Sequence, residues 1–414
     1  MSLSNITLTA AVRQNLLSLQ GTADLLATTQ GRLATGKKVN SALDNPTNFF
    51  TAAGLDARAS DISNLLDSIG NGVQVLQAAN TGITSLSKLV DTAKSIANQV
   101  LQQPTGYTSR ATVSIAAPAG AAPANTIGTA TDLTAAGVNS LQGKTLIFKT
   151  ASGTTTLTLS NVAGAGNVNS IDSINTALSA AGVELTASFN ANGSVAFTST
   201  NNAASQTITA TGTFAAPPAG SSTSVDVSGT ATFGAVTAAV ADAVSQATRA
   251  NLVSQYNQII TQITTTAQDA SFNGINLLNG DSLKLVFNET GKSTSTINGV
   301  TFNPAGLGLA ALTSGTDFID NAATNAVLTK LNTASTTLRS QASAFGANLS
   351  IVQIRQDFNK NLINVLQTGS SALTLADTNE EAANSQALST RQSIATSALS
   401  LANQSQQSVL QLLR

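Results

Sequence analysis

Apolar residues recur along the start of the chain at Leu8, Val12, Leu16, Leu19, Ala23, Leu26 and Leu33. Steps of three, four and seven residues draw one stripe along a helix, with Ser, Thr, Gln and Asn on the opposite face. Gly36, Asn40, Asp44, Asn45 and Pro46 then punctuate the chain. A longer seam follows. Leu55, Ile62, Ile69, Leu76, Ile83, Val90 and Ala97 stand seven apart, with Leu65, Gly72, Ala79, Leu86, Ala93 and Val100 three residues further on. Sustained over six heptads, this predicts a coiled-coil-like helix, roughly 70 Å long at ~1.5 Å per residue. Gly70, Gly72 and Gly82 weaken it as an isolated helix, so it needs neighbours.

From Gln103-Pro104 to about Thr237 the helical period fades and Thr, Ser, Gly and Ala dominate. Alternating runs at 144–149 and 155–159 flank Ser152-Gly153 and predict a hairpin. Residues 171–181 predict a short helix. Runs at 183–189 and 195–199 around Asn190-Ala191-Asn192-Gly193 predict a second hairpin with Asn-Gly turn chemistry. The stretch reads as an inserted β-rich domain; a disordered linker is the alternative.

Helix returns near Ala238, where Leu252, Tyr256, Ile259 and Ile263 step four, three, four, and stops at Ser271-Phe272-Asn273-Gly274. Strands follow at 283–287 and 294–302. In the last third Leu331, Leu338, Phe345, Val352, Asn359, Leu366 and Leu373 share a seven-residue row. Polar Asn359 on that row either fixes register as a buried Asn does in coiled coils, or faces solvent. Leu388, Ala395, Ala402 and Val409 form a final row beside Leu399 and Leu413, and the chain ends Val409-Leu410-Gln411-Leu412-Leu413-Arg414. An apolar helix reaching a terminus, where chains normally fray, implies a partner. The expected fold is mainly α: a long antiparallel coiled-coil-like bundle built from both chain ends, with a small β-hairpin and an inserted β-rich (α+β) outer domain.

Composition narrows the chemistry. Only 9% of the 414 residues are charged and the net charge is −1, which argues against a nucleic-acid footprint. Cys and His are absent, which removes disulfides, Cys/His metal sites and Ser-His or Cys-His nucleophile pairs. Aromatics make up 4% and Trp is absent, so a large aromatic-lined pocket is not expected. No cofactor or metal is expected. Met1-Ser2-Leu3-Ser4-Asn5 does not open a signal peptide, and no apolar run of about 18 residues spans a membrane. The chain is expected to be either cytoplasmic or exported without a cleaved signal.

Several local strings resemble bacterial flagellin. QNLLSLQGTADLLATTQGRLATGKKVNSALDNP (14–46) is similar to that family's first conserved block, with Gly36 and Lys38-Val39-Asn40-Ser41-Ala42 at its Gly, basic and Ile-Asn-Ser-Ala positions. Asn71-Gly72, Phe272-Asn273-Gly274 with Leu277-Leu278, and the final ANQSQQSVLQLLR (402–414) also match. Ser405-Gln406 stand where many members carry an apolar residue and Pro.

The resemblance implies a non-enzymatic subunit, exported unfolded, that polymerises extracellularly into the flagellar filament for motility. It also implies, as partners, further copies of the chain, the export apparatus, an export chaperone, and filament cap and junction proteins. On that reading 1–42 and 373–414 form the inner filament core, 43–103, 238–302 and 303–372 the rods and hairpin, and 104–237 the variable outer domain. Leu8, Val12, Leu16, Leu19, Leu26, Leu33, Leu388, Leu399, Ala402, Val409, Leu410 and Leu413 would form the polymerisation stripe. Leu55, Ile62, Ile69, Leu76, Ile83, Val90, Leu331, Leu338, Phe345, Val352 and Leu366 would form the rod seam.

Two features depart from the family. The insertion lies between the first and second rod helices. Thr92, Lys94, Ser95 and Ile96 stand where receptor-sensed flagellins carry a basic-Glu-Leu string, so weak activation of the vertebrate Toll-like receptor is expected. The alternatives are a hook-filament junction protein and a surface adhesin. A carboxylate-dependent hydrolase is opposed by the dispersion of Asp132, Asp172, Glu184 and Asp226.

Overall fold

The computed structural model describes residues 10–115, 131–135 and 140–412. In chain order the elements are α1 (Ala10–Thr35), α2 (Pro46–Leu101), β1 (Tyr107–Ser109), β2 (Thr112–Ile115), β3 (Thr145–Thr150), β4 (Gly153–Leu159), β5 (Asn167–Val168), α3 (Ile171–Ala180), β6 (Leu185–Phe189), β7 (Val195–Ser199), β8 (Thr207–Thr209), β9 (Ser224–Gly229), β10 (Phe233–Thr237), β11 (Val240–Ala241), α4 (Ala243–Asp269), β12 (Ser282–Val286), β13 (Thr294–Asn298), α5 (Asn321–Thr374) and α6 (Thr378–Leu412). They divide into two compact units. One holds residues up to Val73, Lys284–Thr296 and Ser350 onward; the other holds Gln74–Leu283 and Ile297–Leu349.

In the first unit α2 and α5 pack through Ala59, Ile62 and Leu366, flanked by Leu55, Leu362 and Ile363. The strand segments at 284–296 are tied to both helices. Arg58 pairs with Glu289 at 2.8 Å, and the Arg355 guanidinium lies over the Phe287 ring at 5.9 Å. Asn359, on the apolar row of α5, is 2% exposed and donates its side-chain N–H to Phe287 O at 3.0 Å. The buried alternative holds, because this amide satisfies a strand carbonyl rather than facing solvent. A Cβ on Gly72 would stand 2.4 Å from Leu285 Cδ2, so the Leu285 side chain would have to shift to admit one.

In the second unit the predicted rows of α2 are buried from Leu76 through Ala79, Ile83, Leu86, Val90, Ala93 and Ala97 to Val100. α4 buries Leu252, Val253, Tyr256, Ile260 and Ile263, and α5 buries Leu331, Ala334, Leu338 and Phe345. A Cβ on Gly82 would stand 2.6 Å from Ala270 Cβ, which cannot swing aside. This glycine therefore trades helix propensity for contact. Asn276, 6% exposed, donates to Ala267 O and Gln268 O, each at 2.8 Å, and closes the end of α4. Asn273 (φ 50°) and Gly274 (φ 80°) form the preceding turn.

The insertion carries a five-stranded sheet in the order β5-β4-β3-β9-β8 and a four-stranded sheet in the order β10-β2-β7-β6. Both predicted hairpins are present, β3–β4 and β6–β7, the second turning through Gly193 at φ 76°. One apolar core spans both sheets and α3, and Phe148 of β3 meets Phe197 of β7 edge-on at 5.3 Å. The side-chain amide of Asn175 in α3 bonds both N (2.7 Å) and O (3.1 Å) of Ala187 in β6, docking the helix on its sheet. Strand pairing runs from Tyr107 to Ala241, a few residues past the expected 104–237. The last rod helix starts at Asn321 rather than near 303, because 303–320 is spent in turns and Asp320 caps the helix through Ala323 N at 3.0 Å.

The roots of the insertion meet at two buried charges. Arg249, 1% exposed, donates to Pro104 O (2.8 Å), Phe318 O (2.9 Å) and Asn321 Oδ1 (3.2 Å). Asp320, fully buried, accepts from Ser205 N (3.1 Å), Ser205 Oγ (2.6 Å) and Ser222 Oγ (2.5 Å). Burial pushes the Arg249 guanidinium below its ordinary pKa, and the Asp320 charge opposes that shift. Arg249→Ala strips these carbonyls of their donors and removes the compensating charge. We expect a loss of about 3 kcal/mol or more, seen as a lower urea midpoint at unchanged slope. A loss below about 1 kcal/mol would mean that the guanidinium does not hold the junction.

Candidate assembly surface

Helices α1 and α6 lie against each other. Their expected stripe is divided by the fold. Val12 is buried, Leu19, Leu26, Leu388, Leu399 and Ala402 are half-buried, and Leu16 and Leu33 remain exposed. Leu8 and Leu413 lie outside the described residues, as do the side chains of Val409 and Leu410. Each helix also carries a second apolar row that its partner does not reach: Leu17 (68% exposed) and Leu25 on α1, Ile394 and Leu401 (71% exposed) on α6. Along α6, Ile394, Ala398 and Leu401 with Thr390, Ser393 and Ser397 border an open groove of about 450 Å³.

The same situation recurs on the distal part of α5. Its seam residues Val352, Asn359 and Leu366 are buried, while Ile351, Ile354, Phe358 and Val365 form an exposed row with spacings of three, four and seven. The single-stripe reading misses these rows. Their signal is present in the sequence as apolar residues immediately beside the seam, the pattern of a helix apolar on two faces. Covering one such Leu, Ile or Phe contributes ~1.5–3 kcal/mol, so these eight positions represent a large unspent driving force for association.

A clasp joins the two terminal helices at their base. Gly36 (φ 68°) ends α1 in the left-handed conformation. Lys38 N donates to Thr374 O at 2.7 Å and Ala376 N to Gly36 O at 3.0 Å, framing an antiparallel bridge between Lys37 and Leu375. Arg32 meets Glu381 at 3.2 Å, where Glu381 is 7% exposed. The next turn is held by Asp44, whose Oδ2 accepts from Asn40 N (2.9 Å) and Ser41 N (2.8 Å). Asn45 then caps α2 through Asn48 N at 3.0 Å, with Pro46 in the first helical position. Backbone N–H groups of Ser41 and Asn40 hold the Asp44 carboxyl below its ordinary pKa.

The rod seam residues Ile62, Ile69, Leu76, Ile83, Val90, Leu331, Leu338, Phe345, Val352 and Leu366 are buried and Leu55 half-buried. Thr92 and Ser95 are exposed, Lys94 lies 3.7 Å from Asp91, and Ile96 is turned inward. The four carboxylates weighed for catalysis do not converge. Asp132 takes Thr134 N and Oγ1, Asp172 sits in the first turn of α3, Glu184 takes Thr200 Oγ1 and Asn202 Nδ2, and Asp226 takes Thr209 Oγ1 and Thr211 N. Among the described residues no group of three acidic side chains could hold a metal, and no helix is long and apolar enough to cross a membrane.

Residues 6–134 match the bacterial flagellin N-terminal helical region, and residues 328–413 match the bacterial flagellin C-terminal helical region. The chain is 34% identical over 165 residues to Flagellin FljM of Caulobacter vibrioides and 33% identical over 165 residues to Flagellin FljK of the same organism. Each alignment covers 39% of this chain and 59% of the relative, so the match spans less than two-thirds of either. Flagellin A of Rhizobium meliloti is 36% identical over 93 residues, covering 22% of this chain and 24% of that protein.

The Asp44 carboxylate gives the clasp a pH dependence. Its folded pKa lies below the ordinary 3.8, so its contribution is fully present above that value and is lost as pH falls through the folded pKa. Lowering the pH from neutrality through the folded pKa, which lies below 3.8, should progressively loosen residues 36–44 in the wild type, and Asp44→Asn should loosen them already at pH 7. The readout is the backbone amide spectrum of Asn40 and Ser41. Unchanged shifts in Asp44→Asn would remove the carboxylate from the clasp.

Proposed function

The chain belongs to the bacterial flagellin family, and on that premise we propose that it is the structural subunit of a flagellar filament, polymerising outside the cell to serve motility. The observation that carries this reading is the uncovered second apolar face of the paired helices α1 and α6, with Leu17, Leu25, Ile394 and Leu401 at its centre. A helix pair can cover one face of each member; the other faces need further copies of the chain. The exposed row Ile351, Ile354, Phe358 and Val365 extends the same requirement to α5. The stripe from Leu8 to Leu33 and from Leu388 to Leu413 then forms the inner core of the polymer, and the seam residues hold the rods.

Passage through a narrow export channel in an unfolded state suits a chain with no cysteine to cross-link. An export chaperone would cover the apolar groove of α6 before assembly, and cap and junction proteins would meet the same faces at the filament ends. Thr92, Lys94, Ser95 and Ile96 in place of a basic-Glu-Leu string leave α2 a poor ligand for the Toll-like receptor.

Removing Leu399 to Arg414 should leave the thermal transition of the rods and insertion intact while abolishing filament growth, scored by electron microscopy after adding salt or seeds. Filaments of normal length from the truncated protein would sink the reading. In a receptor reporter assay the full chain should be at least about 100-fold weaker than an activating flagellin, a difference of ~2.7 kcal/mol in apparent affinity. Nanomolar-range activation would contradict it.

A further inference from the structure

The chain contains five Asn-Gly pairs, beginning at Asn71, Asn192, Asn273, Asn279 and Asn298. In such a pair the backbone nitrogen of the glycine can attack the side-chain amide of the asparagine, because glycine has no Cβ to obstruct the approach. The rate then depends on whether the fold leaves that nitrogen and that amide free.

Four of the pairs are restrained. Asn71-Gly72 lies inside α2, where the helical ladder engages the Gly72 N–H. Gly193 N donates to Asn190 O at 2.9 Å, while Asn192 Oδ1 accepts from Ser194 N at 3.1 Å and from Ser194 Oγ at 2.7 Å. Asn279 is itself the bridging residue opposite Thr301, and its N–H donates to Asn276 O at 3.1 Å. Asn298 ends β13 with its Oδ1 3.4 Å from Ser282 Oγ, and a Cβ on Gly299 would stand 2.2 Å from Asp281 O, so backbone crowds that pair.

Asn273-Gly274 differs from all four. The two residues are the tip of the turn after α4, closed by reciprocal bonds from Phe272 N to Ile275 O and from Ile275 N to Phe272 O, each at 3.0 Å. Both are exposed, and among the described residues no hydrogen bond ties down the Asn273 side chain or the Gly274 N–H. Apart from its chain neighbours, no heavy atom stands within 4 Å of where a Gly274 Cβ would lie, so a ring can form on that side. Asn273 at φ 50° also holds a left-handed conformation that costs a side-chain-bearing residue energy, and opening the turn relieves it.

We propose that Asn273 is a site of spontaneous deamidation. The Gly274 nitrogen attacks Asn273 Cγ, forming a new N–Cγ bond. The Cγ–Nδ2 bond breaks, and Nδ2 leaves as ammonia with the proton that the Gly274 nitrogen gives up. Solvent water then opens the cyclic imide at either carbonyl, leaving aspartate in one case and isoaspartate in the other. Both products place a new carboxylate at the tip of the turn. The isoaspartate backbone is longer by a methylene, which upsets the Phe272–Ile275 pairing where the chain passes from α4 to the buried Leu277 and Leu278. The site lies outside the terminal helices and does not depend on the assembly reading.

The test is peptide mapping by mass spectrometry of the full-length protein, sampled over time at mildly alkaline pH, once native and once in urea. The Asn273 peptide should gain about 1 Da and split into Asp and isoAsp isomers, with fragmentation locating the change. Each hydrogen bond that must open before attack slows it several-fold, so native Asn273 should convert at least about tenfold faster than any of the other four asparagines. In urea the five rates should converge to within a few-fold, because no fold then distinguishes the pairs. Native conversion of Asn273 no faster than that of the other pairs overturns the proposal. So does the same spread of rates in urea, which would assign the preference to local sequence and not to the turn.

Discussion

The terminal and rod helices of this chain carry more apolar surface than their partners within the chain cover, and the structure is organised around that excess. With 9% of residues charged, the helices have little electrostatic support of their own. Isolated helices are marginal even when their composition is favourable, so their order depends on burial. α1 and α6 find each other across nearly the whole length of the sequence and still leave Leu17, Leu25, Ile394 and Leu401 in solvent. On the proposed filament reading, further copies of the chain would cover them, which would link the energetics of folding to the energetics of assembly.

Against this background the polar features serve to fix geometry. The clasp of Gly36, Lys38, Thr374 and Ala376 uses backbone hydrogen bonds to set where α1 ends and α6 begins. Asn359 spends a position on the seam to hold the strand carbonyl of Phe287. Arg249 and Asp320 gather the root of the insertion, with Arg249 pairing the carbonyls of Pro104 and Phe318. Each places a hydrogen-bonding group where the chain changes direction and where apolar packing alone would be permissive of several arrangements.

The insertion solves the opposite problem with the same materials. Its strands are short and rich in Thr and Ser, but Phe148, Phe197 and Phe233 meet at the centre of two sheets and convert small elements into one core.

Periodicity determined the long helices, because side chains at three- and four-residue spacing share a face wherever the helix ends up. Alternation likewise determined both hairpins of the insertion, with Ser152-Gly153 turning the first and Asn-Gly chemistry the second, since strand faces and turn conformations are local properties. The pairing of the chain ends was legible from their apolar character. Tertiary structure alone decided which of two apolar faces on α1, α5 and α6 is covered, whether Asn359 points inward, and which glycines are there for close approach, as Gly82 is and Gly70 is not. Each of these depends on a partner far away along the chain, Phe287 for Asn359 and Ala270 for Gly82. Local spacing records how a residue faces its own helix, and carries no information about what will come to lie against it.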